Sequence, residues 1–297
     1  MKGVLLFGLL AALLLATASV AQAVPPWSEV EITPKVSVKG PAAKAKPPKT
    51  AEAATGVLGS SLPEGAGRWA IVIGISDYQG SANDLECADD DARDFYRALV
   101  DVYGFDAGKV TLLVDGDATR GNIVGAINSL KEKASPGDEV VFFYSGHGAR
   151  GRFNDGDSEA VDEAIVPWEC TAEALIWDGE LASWFSGLEA SRIILIFDCC
   201  YAGGMTDLKA NGRIVVMACS ENGVSYEFTS LGNGQFTYYF VEQGIIRGEA
   251  DRYDHCGDGN GDGAQDVTVE EAFDYAKANC AHQAPAISDL FLNDLLP

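Results

Sequence analysis

An α/β domain built on a mostly parallel sheet, with helices on both faces, is what this sequence predicts. Three observations predict it. Short apolar runs rich in β-branched and aromatic residues recur along the chain, as buried parallel strands require. Between them lie segments with apolar residues at helical spacing. Two of the runs end in chemistry-bearing motifs, Tyr144-Ser145-Gly146-His147-Gly148 and Asp198-Cys199-Cys200-Tyr201-Ala202-Gly203-Gly204. Loops at the carboxyl ends of parallel strands line the crevice where such sheets bind ligands.

The elements follow in order. Trp69 to Ile75 is a buried strand. Ala88 to Tyr103 is helical, with Ala92, Phe95, Tyr96, Leu99 and Val100 on one face. Lys109 to Val114 is a second strand, and Thr119 caps a helix that runs through Lys133. Glu139 to Tyr144 is the strand that delivers the histidine, and Ala164 to Pro167 is a short extended piece. Gly179 to Leu188 is helical, Arg192 to Phe197 is the strand that delivers the cysteines, and Arg213 to Ala218 is another strand. Phe236 to Ile246 and Val269 to Asn279 are helices, and Ile287 to Leu292 closes the sheet as an edge strand.

The 297 residues divide into three parts. Residues 1–23 have the pattern of a secretory signal: Lys2, an apolar run from Val4 to Val20, then Ala21-Gln22-Ala23. The expected location is therefore outside the cytoplasm, secreted or periplasmic. An uncleaved leader would leave the protein membrane-anchored. Residues 24–67 are rich in Pro, Ala and Lys and lack periodicity, as expected of an extended tether or of a pro-segment. Residues 68–297 are enough for one domain with a full core.

The chain carries a net charge of −23; leader and linker each contribute +1, so the domain carries −25. Nucleic acid and anionic membranes are poor partners for such a surface. The acidity fits either gathered carboxylates that bind divalent cations or a high-salt habitat. The seven cysteines lack paired metal-ligand spacing, which argues against zinc. Cys256 and Cys280 are the pair to test for a disulfide.

His147 and Cys200 lie 53 residues apart, room for one strand–helix crossover. A thiol needs a nearby base to become a thiolate at neutral pH, and imidazole is the usual one. Cys199 and Cys200 point to opposite sides of a continued strand, and alternation alone leaves the choice between them open. His255 and His282 lack such a setting.

In order and spacing, the YSGHG and DCCYAGG motifs resemble the caspase-like cysteine peptidases, most of all the metacaspases and their prokaryotic relatives. The likeness runs from about Arg68 to about Leu292 and includes Asp162-Glu163-Ala164-Ile165-Val166-Pro167. It implies a caspase-like sandwich, a thiol endopeptidase, and a dyad of His147 with Cys200, the cysteine two residues after the motif's aspartate. It also implies an oxyanion site from the backbone amides of Gly148 and Cys200. Where the family usually has histidine after the nucleophile, this chain has Tyr201. Asp91 and Asp198 match acidic residues of the metacaspase specificity pocket, with Ser145 beside them, which implies protein or peptide substrates cut after Arg or Lys. Asp89 and Asp90 are expected to be a solvated helix start.

Asp162, Asp178 and Asp207 match aspartates that bind regulatory calcium in some metacaspases. The position after Asp178 departs from that pattern, with Glu180 to compensate. A second calcium candidate is the EF-hand-like start Asp258-Gly259-Asn260-Gly261-Asp262-Gly263, with Asp258, Asn260 and Asp262 as ligands and Glu271 closing the loop after a two-residue insertion. A polar Gly-rich turn explains that stretch equally well. The competing reading of the whole chain is a catalytically silent caspase-fold protein that binds partners in a calcium-dependent way.

Overall fold

The computed structural model describes residues 30–40, 62–153, 160–188, 190, 192–253 and 267–291. Residues 1–23, Cys256, His255 and the Asp258–Asn260–Asp262 loop start lie outside them. Among the described residues no helix is long and apolar enough to cross a membrane.

Among the described residues thirteen strands occur in chain order: β1 (Glu31–Thr33), β2 (Val36–Val38), β3 (Arg68–Gly74), β4 (Val110–Val114), β5 (Glu139–Ser145), β6 (Gly148–Gly151), β7 (Asp162–Ile165), β8 (Ile176–Trp177), β9 (Arg192–Asp198), β10 (Arg213–Met217), β11 (Tyr226–Phe228), β12 (Asn233–Gly234) and β13 (Ala286–Asp289). The helices are α1 (Ala88–Arg97), α2 (Arg120–Lys133), α3 (Asp178–Ser186), α4 (Gln235–Thr237) and α5 (Val269–Asn279). A π-helical run, Ala98–Val102, extends α1, and another, Tyr238–Ile246, extends α4.

Six strands form the central sheet in the order β13-β10-β9-β5-β3-β4. Every pair in it is parallel except β10 with the edge strand β13. Alternation along each strand divides the apolar residues between two cores. Ile71, Ile73, Phe142, Leu195 and Phe197 face one side with Ile123 and Ile127 of α2 and Leu181 and Phe185 of α3. Val72, Phe143, Ile194 and Ile196 face the other with Phe95 of α1, Phe240 of the π run and Phe273 of α5. The expected three-layer α/β sandwich is therefore the observed one.

Thr119 caps α2 as its sequence indicates, its side chain accepting from the Asn122 amide. Several elements differ from expectation. The helix from Ala88 changes to π geometry at Ala98, and the expected helix from Phe236 is π-helical beyond its first turn. Two small sheets were not foreseen: β1-β6-β7-β8 and β12-β11-β2. Their strands are two to four residues long, too short for alternation to register.

The largest correction concerns the tether. Within the segment 24–67, residues 30–40 dock on the domain, with β1 antiparallel to β6 and β2 parallel to β11. Cys280 is a free, buried thiol, and Cys256, the partner expected for it, lies outside the described residues. The neighbour of Cys280 is the Gln235 carbonyl at 3.8 Å.

The stack of Phe95 on Phe143, centroids 4.7 Å apart and both fully buried, joins α1 to the sheet. Phe143→Ala is expected to lower stability by about 3–5 kcal/mol through lost burial and the cavity left behind. Urea unfolding of the full chain, followed by circular dichroism, measures it.

Candidate active site

The register of the parallel strands sets the site. Ser145 at the end of β5 pairs with Asp198 at the end of β9, and Gly74 at the end of β3 pairs with Ser145. The chain leaves β5 through Gly146, whose amide donates to the Asp198 carbonyl at 3.3 Å. The histidine turn is thereby tied to the cysteine strand.

His147 is 2% exposed and tightly positioned. Its ring stacks on Tyr78 with centroids 4.3 Å apart and planes 10° from parallel. Its backbone amide donates to the Tyr78 hydroxyl at 2.8 Å. Nε2 lies 2.6 Å from the Asn83 carbonyl oxygen. A carbonyl only accepts, so Nε2 carries the proton and Nδ1 keeps its lone pair. Among the described residues Nδ1 has no hydrogen-bond partner. Burial lowers the His147 pKa to about 4, against the opposing hydrogen bond that Nε2 donates to the Asn83 carbonyl.

Cys199 turns into the core, fully buried, and its carbonyl accepts from the Cys219 thiol at 3.3 Å. Cys200 faces the crevice. Its Sγ donates to the Pro34 carbonyl at 3.3 Å and accepts from the Ser225 amide at 3.3 Å. Burial is the main influence raising its pKa, to about 11. Gly148 is required by close approach: a Cβ there would stand 1.9 Å from the Cys200 carbonyl oxygen and 3.1 Å from its nitrogen. The backbone after the histidine is thus pressed against that of the cysteine, where the oxyanion amides are expected. Tyr201 adopts φ 60°, a left-handed conformation rare outside glycine, and turns the chain sharply away from the strand. Its ring lies under the Arg150 guanidinium at 4.4 Å and its hydroxyl is 2.9 Å from Thr33 Oγ1. The departure at this position therefore forms a wall of the crevice.

The three residues expected to bind substrate lie together at the end of the sheet. Asp91, Ser145 and Asp198 are all fully buried. Ser145 Oγ donates to Asp91 Oδ2 at 2.7 Å, and the Gly234 amide donates to Asp91 Oδ1 at 2.8 Å. Asp198 accepts from Ser225 Oγ at 2.6 Å and from Thr237 Oγ1 at 2.7 Å. Asp90 is exposed and Asp89 half-buried, as a helix start should be. Burial raises the Asp91 pKa to about 7, although a cation sits beside it.

That cation is Lys35. Its Nζ is 3.0 Å from Asp198 Oδ1, 3.3 Å from Asp91 Oδ2 and 2.8 Å from Ser145 Oγ. Burial, the largest influence on its pKa, opposes the charge, but Asp198, Asp91 and Glu227 outweigh it and hold the ammonium above its ordinary value. Sequence reasoning missed Lys35, Tyr78, Asn83 and Gly234. Asn83 acts through its backbone, which carries no residue signal. Gly234 forms the pocket floor: a Cβ there would lie 2.6 Å from Asp198 Oδ2 and 2.8 Å from Asp91 Oδ2.

Of the expected metal ligands, Asp162, Asp178, Asp207 and Glu271 lie among the described residues. Among the described residues no group of three or more His, Cys, Asp or Glu is placed to hold a metal ion. Asp162 Oδ2 accepts from the Phe153 amide at 2.9 Å, Asp178 Oδ1 accepts from the Gly179 amide at 2.9 Å, and Asp207 is half-buried in the turn that follows Cys200. Glu180, expected to compensate beside Asp178, pairs with Arg120 at 2.7 Å. The loop that Glu271 was expected to close lies outside the described residues. Glu271 completes a capping box, Oε2 accepting from the Thr268 amide at 2.9 Å. His282 has a structural role, its Nδ1 3.1 Å from Gln235 Nε2.

With this geometry in place, the comparisons are informative. Residues 68–209 match the family model described as metacaspase, peptidase C14 domain. Metacaspase-4 of Arabidopsis thaliana is 35% identical over 146 residues, 46% of this chain and 34% of that protein. Metacaspase-1 of Pyricularia oryzae is 35% identical over 150 residues, 48% of this chain and 38% of that one. The matches thus span only about a third of the length of these curated relatives. A solved Geobacter sulfurreducens structure superposes on 75% of this chain and 92% of its own with a TM-score of 0.52 at 20% identity, a likeness of fold. Residues 68–209 are thus similar to a metacaspase-type peptidase domain, and the fold is of the same α/β kind as the solved neighbour.

The tautomer and low basicity of His147 are directly measurable. Nitrogen-detected NMR of the full chain is expected to show its ring protonated at Nε2 and neutral down to about pH 4. Titration near the ordinary histidine value of about 6.5 would contradict the buried setting.

Proposed function

We propose that the protein is an exported cysteine endopeptidase that cuts after Arg or Lys, with Cys200 as nucleophile and His147 as base and acid. One observation carries the specificity: the buried carboxylates of Asp91 and Asp198 hold a lysine ammonium, the chemistry expected of the substrate side chain. The leader at residues 1–23 is the basis for export.

In the proposed reaction His147 Nδ1 takes the proton from Cys200 Sγ, and the thiolate attacks the carbonyl carbon after the basic residue. The oxygen that becomes negative lies against the Gly148 and Cys200 amides. Collapse of the tetrahedral species breaks the C–N bond, and the imidazolium returns its proton to the leaving amine. Water, deprotonated by the same imidazole, then attacks the thioester and releases the acid, and the proton passes back to the thiolate. Nε2 stays on the Asn83 carbonyl throughout, which keeps Nδ1 as the working atom.

Calcium assistance belongs to the proposal as a regulatory step only. Asp162, Asp178 and Asp207 do not form a cation-sized cluster in this conformation, so no step runs through the metal. The silent calcium-dependent binder is the competing reading, and the presence of both His147 and Cys200 in one positioned site favours the enzyme.

Fluorogenic Arg, Lys and Asp peptides, offered with calcium and with chelator, test the proposal. Cys200→Ala and His147→Ala are expected to abolish turnover, while Cys199→Ala retains much of it. Preference for Asp peptides would refute the pocket assignment. Full activity in chelator, with no metal seen by native mass spectrometry, would remove calcium.

Pocket variants separate binding from chemistry. Asp91→Asn and Gly234→Ala should raise KM for Arg peptides about tenfold or more, the weight of one charge-assisted hydrogen bond. Because the Asp91 pKa is raised, its carboxylate gains a proton as pH falls through about 7. KM for cationic peptides should therefore rise below that pH in the wild type and lose that dependence in Asp91→Asn.

A further inference from the structure

Lys35 is not a passing contact. It is 3% exposed, in a segment that the sequence presents as a tether, and it fills the pocket with which the proposed enzyme would hold its substrate. Residues on both sides of it are bound as well. Before it, β1 adds to β6 in the register Thr33↔Gly148, next to the candidate histidine. After it, β2 adds to β11, and the Val36 amide donates to the Ser225 carbonyl at 2.9 Å. The same Ser225 donates its amide to the Cys200 sulfur. The segment therefore crosses the groove as an added strand on either side of a single plug, a recognised mode of peptide binding.

Its alignment is not that of a substrate. Cleavage after Lys35 would require the Lys35 carbonyl at the thiol. The carbonyl that Cys200 Sγ touches is that of Pro34, the residue before the plug. The thiol donates its proton to that oxygen, so it is occupied as a hydrogen-bond donor. Burial under the strap accords with a thiol pushed up to about 11 and an imidazole pushed down to about 4, a neutral pair.

We propose that residues 30–40 are an internal inhibitor of the groove, with Lys35 as plug, bound out of register with Cys200 so that the strap blocks the site without being cut after Lys35. This rests on the reading of the groove as a basic-residue peptidase site. It goes beyond that reading by naming the groove's resident occupant and the latency that follows. Tethering on the same chain gives the strap an effective concentration of the order of millimolar, so weak individual contacts suffice.

The test uses the full chain and two independent readouts. Iodoacetamide alkylation of Cys200, resolved by peptide mass spectrometry, reports coverage of the thiol whether or not the protein is a peptidase. Hydrolysis of an Arg fluorogenic peptide reports activity. Lys35→Ala is expected to speed Cys200 alkylation at least tenfold over wild type. Lys35→Arg, which keeps the cation, is expected to stay slow. A synthetic peptide of residues 30–40 at millimolar concentration should restore protection to Lys35→Ala, and the same peptide with Ala at the lysine position should not. Equal alkylation in wild type and Lys35→Ala overturns the proposal. So does a wild-type product ending at Lys35 that disappears in Cys200→Ala, since the strap would then be a substrate. Faster alkylation without hydrolysis of any Arg or Lys peptide keeps the plug and refutes the peptidase reading. Hydrolysis by Lys35→Ala with unchanged alkylation does the reverse.

Discussion

Two carboxylates buried within reach of one ammonium are the constraint around which the rest of the site is arranged. Asp91 and Asp198 have no exposed surface, and both contact Lys35. Like charges removed from water raise each other's pKa unless a cation or enough donors compensate. Here the donors come from five places: Ser145 on β5, Ser225 before β11, the Gly234 amide on β12, Thr237 on α4, and Lys35 in the strap. Strands β5 and β12, helix α4, the loop before β11 and the strap all contribute to this one network. That is why removing a single partner of a buried ion pair is costly even when the pair itself adds little net stability.

The sheet supplies the rigidity this network needs. Parallel pairing in one register places Gly74, Ser145 and Asp198 side by side at the carboxyl edge, and the two apolar cores fix that edge from both faces. The loops beyond it are then positioned by small numbers of exact contacts. Tyr78 stacks on His147, Gly148 lies against Cys200, and the left-handed Tyr201 starts the turn that follows. Strain at Tyr201 is tolerated because Arg150 and Thr33 hold its ring and hydroxyl.

How far the sequence could be read follows from the same physics. The central strands were legible because each buries both faces and so shows a continuous apolar run: Ile193 to Phe197 is one example, Val140 to Tyr144 another. Helix α2 was legible to the residue at its start because Thr119 is a capping side chain. The resemblance singled out Asp91 and Asp198, which the structure brings together, and the motif's register singled out Cys200, whose thiol faces the crevice while Cys199 turns into the core. The strap was not legible. Its strands are three residues long, and they are held by backbone pairing and by one of five similar linker lysines. Nothing local distinguishes Lys35 from Lys39, which is exposed and paired with Glu86 at the surface. Glu271 is ambiguous for the opposite reason. A carboxylate at the start of a helix suits a calcium loop and a capping box equally, and the described residues show its bond to the Thr268 amide.

The proposed latency and the proposed catalysis make opposite demands on this crevice. Catalysis needs a thiol that loses its proton easily and a base that accepts it, and both are favoured by water and by an accessible imidazolium. The covered state does the reverse, since burial favours the neutral form of both groups. The pocket acids respond in the other direction: with the strap in place Lys35 compensates them, and on its departure they face each other without a cation. An open groove thus combines a dyad whose charged forms are less penalised with a pocket whose carboxylates favour the next cationic side chain to arrive. On the proposed reading, a single displacement of eleven residues about one lysine would move both terms toward activity, so the thiol and the proposed pocket would need no separate switches.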